Sequence, residues 1–358
     1  MLPVYLYSSK TLQHWNPDTP FKTGIGGSET AHIEMHKGLI DEGIPVQSFG
    51  PIEKSSKKWP GWKKSEFLPM NKPGIVINYR DFELYDQSFK PGYKHWFVAQ
   101  DVDYPWTADR LVKIDRYITL CKDHTNYTLR KYPELQGRVF QSSNGVRTDY
   151  IRKLWENAPE RNPNQIIYAS SPDRGLKFLL EQWWRIRERC PDAELKIAYG
   201  FENTNTIIGL MGGSEYHEGF RNELTALFKQ PGVTWMGRLP QGKLYDLWMT
   251  SNVWAYPCTF AETSCITCMD AQACGAFPVT NNLWALRDNV DPYEATIFQA
   301  APQDDKLVRT YFLEEIISQI KEPIPDYCRE EMAEKALIKF NWKNIAAQYA
   351  GWIKKDSN

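Results

Sequence analysis

The chain has 358 residues, of which 42% are hydrophobic and 24% are charged, and its formal net charge is −1. This composition is typical of a folded globular protein and excludes a disordered or a fibrous chain. The length favours two domains over one, and no run of 18 apolar residues is present that could span a membrane.

Short apolar runs rich in β-branched and aromatic residues alternate with helical patterns along the chain. Ala31, Met35 and Leu39 recur in four-residue steps, which predicts a helix that ends at Gly43. This alternation predicts an α/β protein with two doubly wound, Rossmann-like parallel sheets in series. The predicted strands span 3–8, 45–50, 74–79, 94–101, 116–121 and 138–142 in the first half, and 165–170, 194–200, 233–238, 253–258, 277–281 and 295–299 in the second.

A polar, proline-containing segment at 155–164 separates the two blocks. We therefore expect an N-terminal domain over 1–155 and a C-terminal domain over 160–340, with mostly helical structure over 304–354. Residues 1–155 carry 22 Lys and Arg against 17 Asp and Glu, whereas the remainder carries 21 against 27. This asymmetry fits two domains that face a shared cleft and an anionic acceptor or membrane surface at the basic half, although scattered surface charge explains it equally well.

Seven cysteines, an odd number, predict free thiols in a reducing compartment. The first residues lack the basic start of a secretory signal, so a cytoplasmic location is expected. Cys265 and Cys268 form a C-x-x-C pair, yet no second pair and no cluster of histidines follows. We interpret both as small side chains that pack a helix rather than as metal ligands or redox thiols.

A glycine-rich loop follows the first strand, where doubly wound sheets bind their ligands. Ser28 is predicted as the N-cap of the next helix. Gly26 and Gly27 would let the backbone approach a ligand closely, and the helix start offers N–H groups to an anion. The spacing matches neither the dinucleotide-binding fingerprint nor a P-loop, and a turn that needs glycine only for its geometry is the alternative.

Two acidic residues lie eight positions apart after the strand predicted at 253–258. Glu262 lies in the loop before a predicted helix, and Asp270 lies about two turns further along. Such a carboxylate pair beside an anion site suits a sugar nucleotide, because carboxylates can bind sugar hydroxyls and a ribose diol. The N–H groups at the helix start, which suit a phosphate, belong to Thr263, Ser264 and Cys265.

The pattern over 257–279, P-x4-E-x7-D-A-x-A-C-G-x-x-P-V, strongly resembles the E-x7-E signature of retaining GT-B glycosyltransferases of family 4, the glycosyl transferases group 1. Asp270 stands where that family usually has Glu, and Gln100 and Asp101 stand where it often has His. Four further segments resemble the family's motifs and follow its order: the glycine loop 24–29, the N-G-V turn 143–146, the basic loop 171–177, and the strand and turn 233–238.

This resemblance implies transfer of a hexose from a nucleoside diphosphate sugar, UDP- or GDP-linked, to a hydroxyl of a glycan or a lipid-linked acceptor. The anomeric configuration would be retained, and neither a metal ion nor a cofactor would be required. The first domain would hold the acceptor and the second the donor, and a helix at about 341–358 would cross back to the first domain. A catalytically inactive nucleotide-sugar or glycan-binding protein and a GT-B nucleotide-sugar epimerase stay open as alternatives.

The resemblance also implies roles for single residues. Glu262 would orient the sugar, while Arg174 and Lys177 would bind the diphosphate, and Asp101 would lie on the acceptor side; these four are the candidate catalytic residues. The candidate donor-binding residues are Gly26, Gly27, Asp270, Thr263, Ser264, Cys265, Gly237 and Arg238.

Three other features have competing interpretations. Asp101 and Asp103 form a D-x-D string, which holds a divalent cation in transferases of another fold, but three-residue matches arise often by chance. His32 and His36 have the spacing of a metal-ligand pair, yet no third ligand is evident and a structural role is favoured. A basic segment is interpreted either as a solvated loop or as a contact to a membrane surface or a polyanionic acceptor. No nucleic acid is expected as a partner. The basic and aromatic residues of this segment are Lys54, Lys57, Lys58, Trp59, Trp62, Lys63 and Lys64.

Overall fold

The structure, a computed structural model, describes residues 1–11, 14–52, 58–201, 215–291 and 294–357, with the backbone alone for 215–217. Contacts divide the chain into two compact units. The first unit comprises Met1–Arg147, Glu262–Ile266 and the chain from Phe340 onward, and the second comprises Thr148–Ala261 and Thr267–Lys339.

The first change of unit falls before the 155–164 segment, between Arg147 and Thr148. The helix that follows packs within the second unit, because the indole of Trp155 donates a hydrogen bond of 2.9 Å to the carbonyl of Ala273. The chain then returns twice to the first unit, once for five residues and once for its last helix.

The first unit contains a seven-stranded sheet in the order β3-β2-β1-β4-β5-β6-β7, and every pair of neighbouring strands is parallel. β1 and β4 lie at its centre and are buried along their whole length, as expected for a sheet covered on both faces. The strands are β1 Val4–Tyr7, β2 Val46–Gly50, β3 Trp62–Lys64, β4 Ile75–Tyr79, β5 Lys94–Val98, β6 Arg116–Thr119 and β7 Val139–Gln141.

The second unit contains a six-stranded parallel sheet in the order β10-β9-β8-β11-β12-β13. The predicted class, two doubly wound parallel sheets, is thus confirmed, and all twelve predicted strands are present. The strands are β8 Asn162–Tyr168, β9 Glu194–Ile197, β10 Val233–Trp235, β11 Ser251–Tyr256, β12 Phe277–Asn281 and β13 Thr296–Phe298.

The helices of the described chain follow the strands, and the C-terminal part is largely helical, as predicted. They are α1 Thr19–Lys22, α2 Gly27–Asp41, α3 Ala108–Leu111, α4 Lys122–Lys131, α5 Thr148–Trp155, α6 Leu176–Arg189, α7 Glu215–Leu227, α8 Gln241–Thr250, α9 Ile266–Ala273, α10 Ala285–Asn289, α11 Lys306–Lys321, α12 Asp326–Lys339 and α13 Trp342–Ser357.

The N-cap predicted at Ser28 is wrong, because α2 begins two residues earlier and Gly26 is its N-cap. Gly26 has extended backbone angles and supplies no side-chain cap, so glycine here meets a need for close packing rather than for capping. The predicted end of the helix is confirmed, since Gly43 follows α2 with a φ of +73° that favours glycine.

The sequence prediction missed strand β3, which lies in the basic segment interpreted as a loop. β3 pairs with β2, and its first residue, Trp62, is only 5% exposed. The Trp62 ring packs edge-on against Trp15 and lies over His36 with a centroid distance of 4.6 Å. Trp62 therefore belongs to the core and cannot form part of a membrane-contacting tip. Lys54 and Lys57 lie outside the described residues, whereas Lys58 and Lys63 are exposed.

The last helix, α13, packs against α2 in the first unit. At their crossing a Cβ on Gly38 would lie 2.5 Å from the Cβ of Ala346, so the two backbones approach as closely as glycine allows. Near its end, Asp356 accepts hydrogen bonds of 2.9 and 2.6 Å from the Nε and Nη2 atoms of Arg116. These contacts hold the last residues of the chain on the first sheet.

Two arginines of the second unit, the buried Arg329 and the half-buried Arg161, bind backbone carbonyls around the end of α9. Arg329 donates to the carbonyls of Asn252 and Gly275, and Arg161 donates to the carbonyl of Cys274 at 2.9 Å. Burial lowers the pKa of both guanidinium groups to about 10, so both are charged at neutral pH. Cations beside the carbonyls that follow α9 stabilise its C-terminal end.

We expect Gly38→Ala to lower the free energy of unfolding by about 1–3 kcal/mol, because the added methyl group overlaps Ala346. Gly351→Ala on α13 is the matched control, since a Cβ there meets no atom within 4 Å and alanine should stabilise the helix by about 0.5–1 kcal/mol. Urea unfolding measures both changes. Equal effects of the two substitutions would contradict this account of the α2–α13 crossing.

His32 and His36 lie in the core of the first unit, where both rings hydrogen-bond to Ser48 Oγ, at 3.1 and 2.8 Å. His32 also stacks on Tyr79 at a centroid distance of 5.1 Å. Burial lowers the pKa of His36 to about 4 and lowers that of His32 as well. Both imidazoles are therefore neutral packing groups at physiological pH.

Stability should fall in acid because the unfolded chain takes up protons at these histidines before the folded chain does. For His36 the loss begins as the pH drops below about 6.5 and reaches about 3 kcal/mol near pH 4. Urea unfolding between pH 7.5 and 4.5 measures this, with His36→Gln as the comparison. The variant should show a flatter pH dependence, and an unchanged one would contradict the assignment.

Candidate active site

The loops at the carboxyl ends of the first sheet gather several predicted site residues. Gly26 is the N-cap of α2 and Gly27 is its first residue. A Cβ on Gly26 would overlap the carboxylate of Glu29, and one on Gly27 would lie 3.1 Å from the side chain of Ile266. An acidic side chain therefore already lies beside this helix start. Contact of these glycines with a phosphate stays a prediction.

Asp101, in the loop after β5, is held by a cation that the sequence analysis did not single out. Arg80 donates to its carboxylate from Nε at 2.8 Å and from Nη2 at 3.2 Å. Arg80 lies just beyond β4 with a φ of +69°, a left-handed conformation that is costly for a residue other than glycine. The hydroxyl of Tyr104 donates to the same carboxylate and accepts from the backbone N–H of Asp101. Asp101 is thus a fixed acidic group.

The second acid of the D-x-D string points to different partners. Asp103 pairs with Lys131 and accepts a 2.7 Å hydrogen bond from the hydroxyl of Tyr132. These contacts, and proximity to Lys131, hold the pKa of Asp103 below its ordinary value in spite of burial. Asp101 and Asp103 thus have separate cationic partners, Arg80 and Lys131. Within the part of the chain that the structure describes, no group of His, Cys, Asp and Glu side chains is arranged to hold a metal ion.

The five residues Glu262–Ile266 group with the first unit, although the chain on either side belongs to the second. Thr263 Oγ1 donates a 2.7 Å hydrogen bond to the carbonyl of Gln100, and Ser264 Oγ accepts one of 3.3 Å from the N–H of Asn144. All four predicted site residues of this segment are buried. They are Glu262, Thr263, Ser264 and Cys265.

In the second unit, Arg174 lies over the ring of Phe260, with 4.0 Å between the guanidinium carbon and the ring centroid. The loop that carries Arg174 ends at Gly175, whose φ is +107°. A Cβ there would overlap the carbonyl oxygen of Pro257, so glycine lets this loop pack directly on the loop after β11. Sequence spacing gave no signal for the Arg174–Phe260 pair, because a cation–π contact depends on the fold.

Lys177 lies in the first turn of α6 and is 41% exposed. Its ammonium lies 2.6 Å from the carboxylate of Glu223 and 3.8 Å from that of Glu181. Exposed ion pairs of this kind contribute little to stability, about 0.2–1 kcal/mol. The ammonium can therefore exchange a carboxylate for a phosphate at small cost.

Asp270 lies on the buried side of α9 and is 4% exposed. Its Oδ1 atom accepts a hydrogen bond of 3.3 Å from the hydroxyl of Tyr245, on α8. Tyr245 in turn contacts the ring of Tyr150. The tyrosine that orients Asp270 was not found from the sequence, since no motif links the two positions.

The turn after β10 contains the predicted residues Gly237 and Arg238. Gly237 has a φ of +65°, and Arg238 is half-buried. Just before them Trp235, which is 43% exposed, stacks on Phe228 at a centroid distance of 5.4 Å. Its indole donates to the carbonyl of Tyr199 at 2.8 Å. An exposed aromatic surface therefore lies next to the predicted base-side turn.

All seven cysteines are free thiols, and six of them are buried. Cys265 and Cys268 are both buried at the start of α9, which agrees with their interpretation as packing residues. None of the described helices is long and apolar enough to cross a membrane.

Comparison with known proteins gives one match to a family model. Residues 152–323 match the model of the family described as Glycosyl transferases group 1. This stretch includes Arg174, Lys177, Glu262 and Asp270. No curated protein matches the chain.

Among solved structures, the chain is similar to sucrose-phosphate synthase from Thermosynechococcus elongatus, with 14% identity, 99% of each chain covered and a TM-score of 0.70. It is similar to the catalytic domain of starch synthase IV from Arabidopsis thaliana bound to ADP and acarbose, with 12% identity, 99% of each chain covered and a TM-score of 0.67. It is also similar to HepE from Anabaena in complex with UDP and glucose, with 12% identity, 99% and 100% covered, and a TM-score of 0.63. At these identities the likeness shows a shared fold, GT-B.

Proposed function

Because this chain carries the glycosyl transferases group 1 domain on a GT-B fold and is a glycosyltransferase, we propose that it moves a hexose from a nucleoside diphosphate sugar to an acceptor hydroxyl with retention of configuration. The observation that carries the proposal is the placement of Arg174 over Phe260 inside the segment that matches the family. The donor would be linked to UDP or GDP. HepE, which has this fold, was solved with UDP and glucose.

Stabilisation of the leaving diphosphate is the main physical requirement of such a transfer, because negative charge grows on it in the transition state. Arg174 suits this role, since Phe260 fixes its guanidinium and a planar guanidinium can bind two phosphate oxygens at once. Lys177 would exchange its exposed partner Glu223 for a phosphate oxygen. The N–H groups of Thr263, Ser264 and Cys265 would add to this positive potential.

Recognition of the sugar and the ribose falls to two carboxylates. Glu262 is proposed to bind sugar hydroxyls, and its burial would strengthen each hydrogen bond it makes. Asp270 is proposed to bind the ribose diol, with its carboxylate oriented by the hydrogen bond from Tyr245. Gly237 and Arg238 would lie beside the base, where the exposed ring of Trp235 offers a stacking surface.

The acceptor is assigned to the first unit. Asp101 is proposed to bind an acceptor hydroxyl, and its two hydrogen bonds from Arg80 keep its carboxylate oriented. The acceptor would be a glycan or a lipid-linked molecule. In this mechanism the diphosphate itself assists removal of the acceptor proton, so no protein nucleophile, metal ion or cofactor is invoked.

A peripheral membrane contact and a cytoplasmic location remain proposals. With Trp62 in the core, the exposed residues that support a membrane contact are Lys58, Lys63 and Phe67, the last of which is 63% exposed. Lysines beside an exposed aromatic ring suit an anionic lipid surface.

We expect the protein to sediment with vesicles that contain anionic lipid, and the Phe67→Ser variant to do so less. Equal sedimentation with neutral vesicles would contradict this contact.

We expect Arg174→Ala to lower kcat for nucleoside diphosphate release by about 100- to 1,000-fold, because one preorganised donor to the developing charge is lost. Arg185→Ala is the matched control, since Arg185 also lies over an aromatic ring, that of Trp184, but on the exposed face of α6. It should keep the wild-type rate within two-fold. The product's anomeric configuration, read by NMR, should equal that of the donor.

Two outcomes would contradict the proposal. One is equal activity of the Arg174→Ala and Arg185→Ala variants, which would remove Arg174 from the reaction. The other is a product with inverted configuration, which would exclude the retaining mechanism.

A further inference from the structure

A short piece of chain between two parts of the second unit is built into the first unit. Residues Glu262–Ile266 leave the loop after β11, pack with the first unit, and return as α9 begins. The segment starts with the acid proposed to bind the donor sugar. The position of Glu262 is therefore set by contacts with the first unit.

The contacts of this segment include two hydrogen bonds made by its side chains and one apolar contact. Thr263 donates to the carbonyl of Gln100 at 2.7 Å, and Ser264 accepts from the N–H of Asn144 at 3.3 Å. Ile266 packs on Gly27, where a Cβ would come within 3.1 Å. Of these contacts the Thr263 bond is the shortest hydrogen bond and lies directly beside Glu262.

The partner of Thr263 belongs to a loop that is itself rigid. The amides of Gln100 and Asn144 exchange two hydrogen bonds, of 3.3 and 3.1 Å. The N–H of Gln100 donates to the hydroxyl of Tyr104, which is 6% exposed. Because these bonds hold the loop, the Gln100 carbonyl is a well-ordered acceptor for the hydrogen bond from the Thr263 hydroxyl.

The segment is also held in a conformation that its own sequence disfavours. Cys265 has a φ of +52°, in the left-handed region that costs a residue other than glycine about 1–3 kcal/mol. Such a conformation persists only where the surroundings impose it. Loss of the Thr263 hydrogen bond should let the start of the segment shift and displace Glu262.

From these contacts we propose that Thr263 is a positioning residue, whose hydrogen bond to the Gln100 carbonyl fixes Glu262 for recognition of the donor sugar. This inference rests on the proposed function of Glu262. Thr263 acts through its neighbour Glu262, whereas the side chains proposed to bind the nucleotide lie outside the segment. Among them are Arg174, Lys177 and Asp270. Loss of the Thr263 hydroxyl should therefore weaken recognition of the sugar half of the donor far more than that of the nucleotide half. The loop of Gln100 and Asp101, assigned to the acceptor, thereby helps to place the donor sugar.

The test separates the two halves of the donor by calorimetry. UDP and GDP, and then UDP-glucose and GDP-mannose, are titrated into the wild type and into Thr263→Val, which keeps the shape but loses the hydroxyl. We expect the variant to bind the nucleoside diphosphate within two-fold of the wild type. It should bind the sugar nucleotide about ten-fold more weakly, and its kcat for nucleoside diphosphate release should fall by about the same factor.

Two controls accompany it. Thr263→Ser keeps the hydroxyl and should restore most of the lost affinity for the sugar nucleotide. Thr148→Val removes another buried threonine hydroxyl that donates to a carbonyl, that of Leu337 at 3.3 Å, and should leave both affinities unchanged.

Equal wild-type and Thr263→Val affinities for the sugar nucleotide would overturn the inference and leave the proposed function standing. Equal losses for the nucleoside diphosphate and the sugar nucleotide would also overturn it, because they would indicate general damage to the site. A wild type that binds neither nucleotide nor sugar nucleotide would instead overturn the proposed function, and the inference with it.

Discussion

The site depends on one constraint: the residues Glu262–Ile266, which lie between parts of the second unit in the chain, belong to the first unit. The hydrogen bond from Thr263 to the Gln100 carbonyl is one of the contacts that hold them there. Because the chain on both sides of these five residues belongs to the second unit, their backbone has little conformational freedom. Cys265 has a left-handed conformation directly before α9. Glu262 is consequently a fixed group, which suits its proposed role in recognising one sugar geometry.

The cations described in the second unit serve different parts of the fold. Arg161 and Arg329 bind backbone carbonyls and stabilise the end of α9. Arg174, the cation proposed to meet a diphosphate, lies over Phe260, a contact that orients its guanidinium. Lys177 lies at the surface, where its ion pairs with Glu223 and Glu181 contribute little to stability.

Much of the fold could be predicted from the sequence, because buried parallel strands are apolar runs of recognisable length. β3 was missed because three residues in a lysine-rich stretch carry no such pattern, and its core residue Trp62 resembled an exposed aromatic. The sequence patterns singled out Asp101 and Asp270 as candidate site residues, but they did not indicate which residues hydrogen-bond to them. Arg80 and Tyr245 are distant in sequence from Asp101 and Asp270, and only the packing of strands and helices brings these pairs together.

The central claim is that Arg174 stands at a nucleoside diphosphate site, and the most direct test is the thermal unfolding of the wild type, Arg174→Ala and Arg185→Ala with UDP, GDP, ADP, dTDP and CMP. The account predicts that UDP or GDP at 100 times its Kd stabilises the wild type and Arg185→Ala by about 2.7 kcal/mol. Arg174→Ala should lose most of this stabilisation at the same concentration. Stabilisation of Arg174→Ala equal to that of the wild type, or none of any protein by any nucleotide, would contradict it.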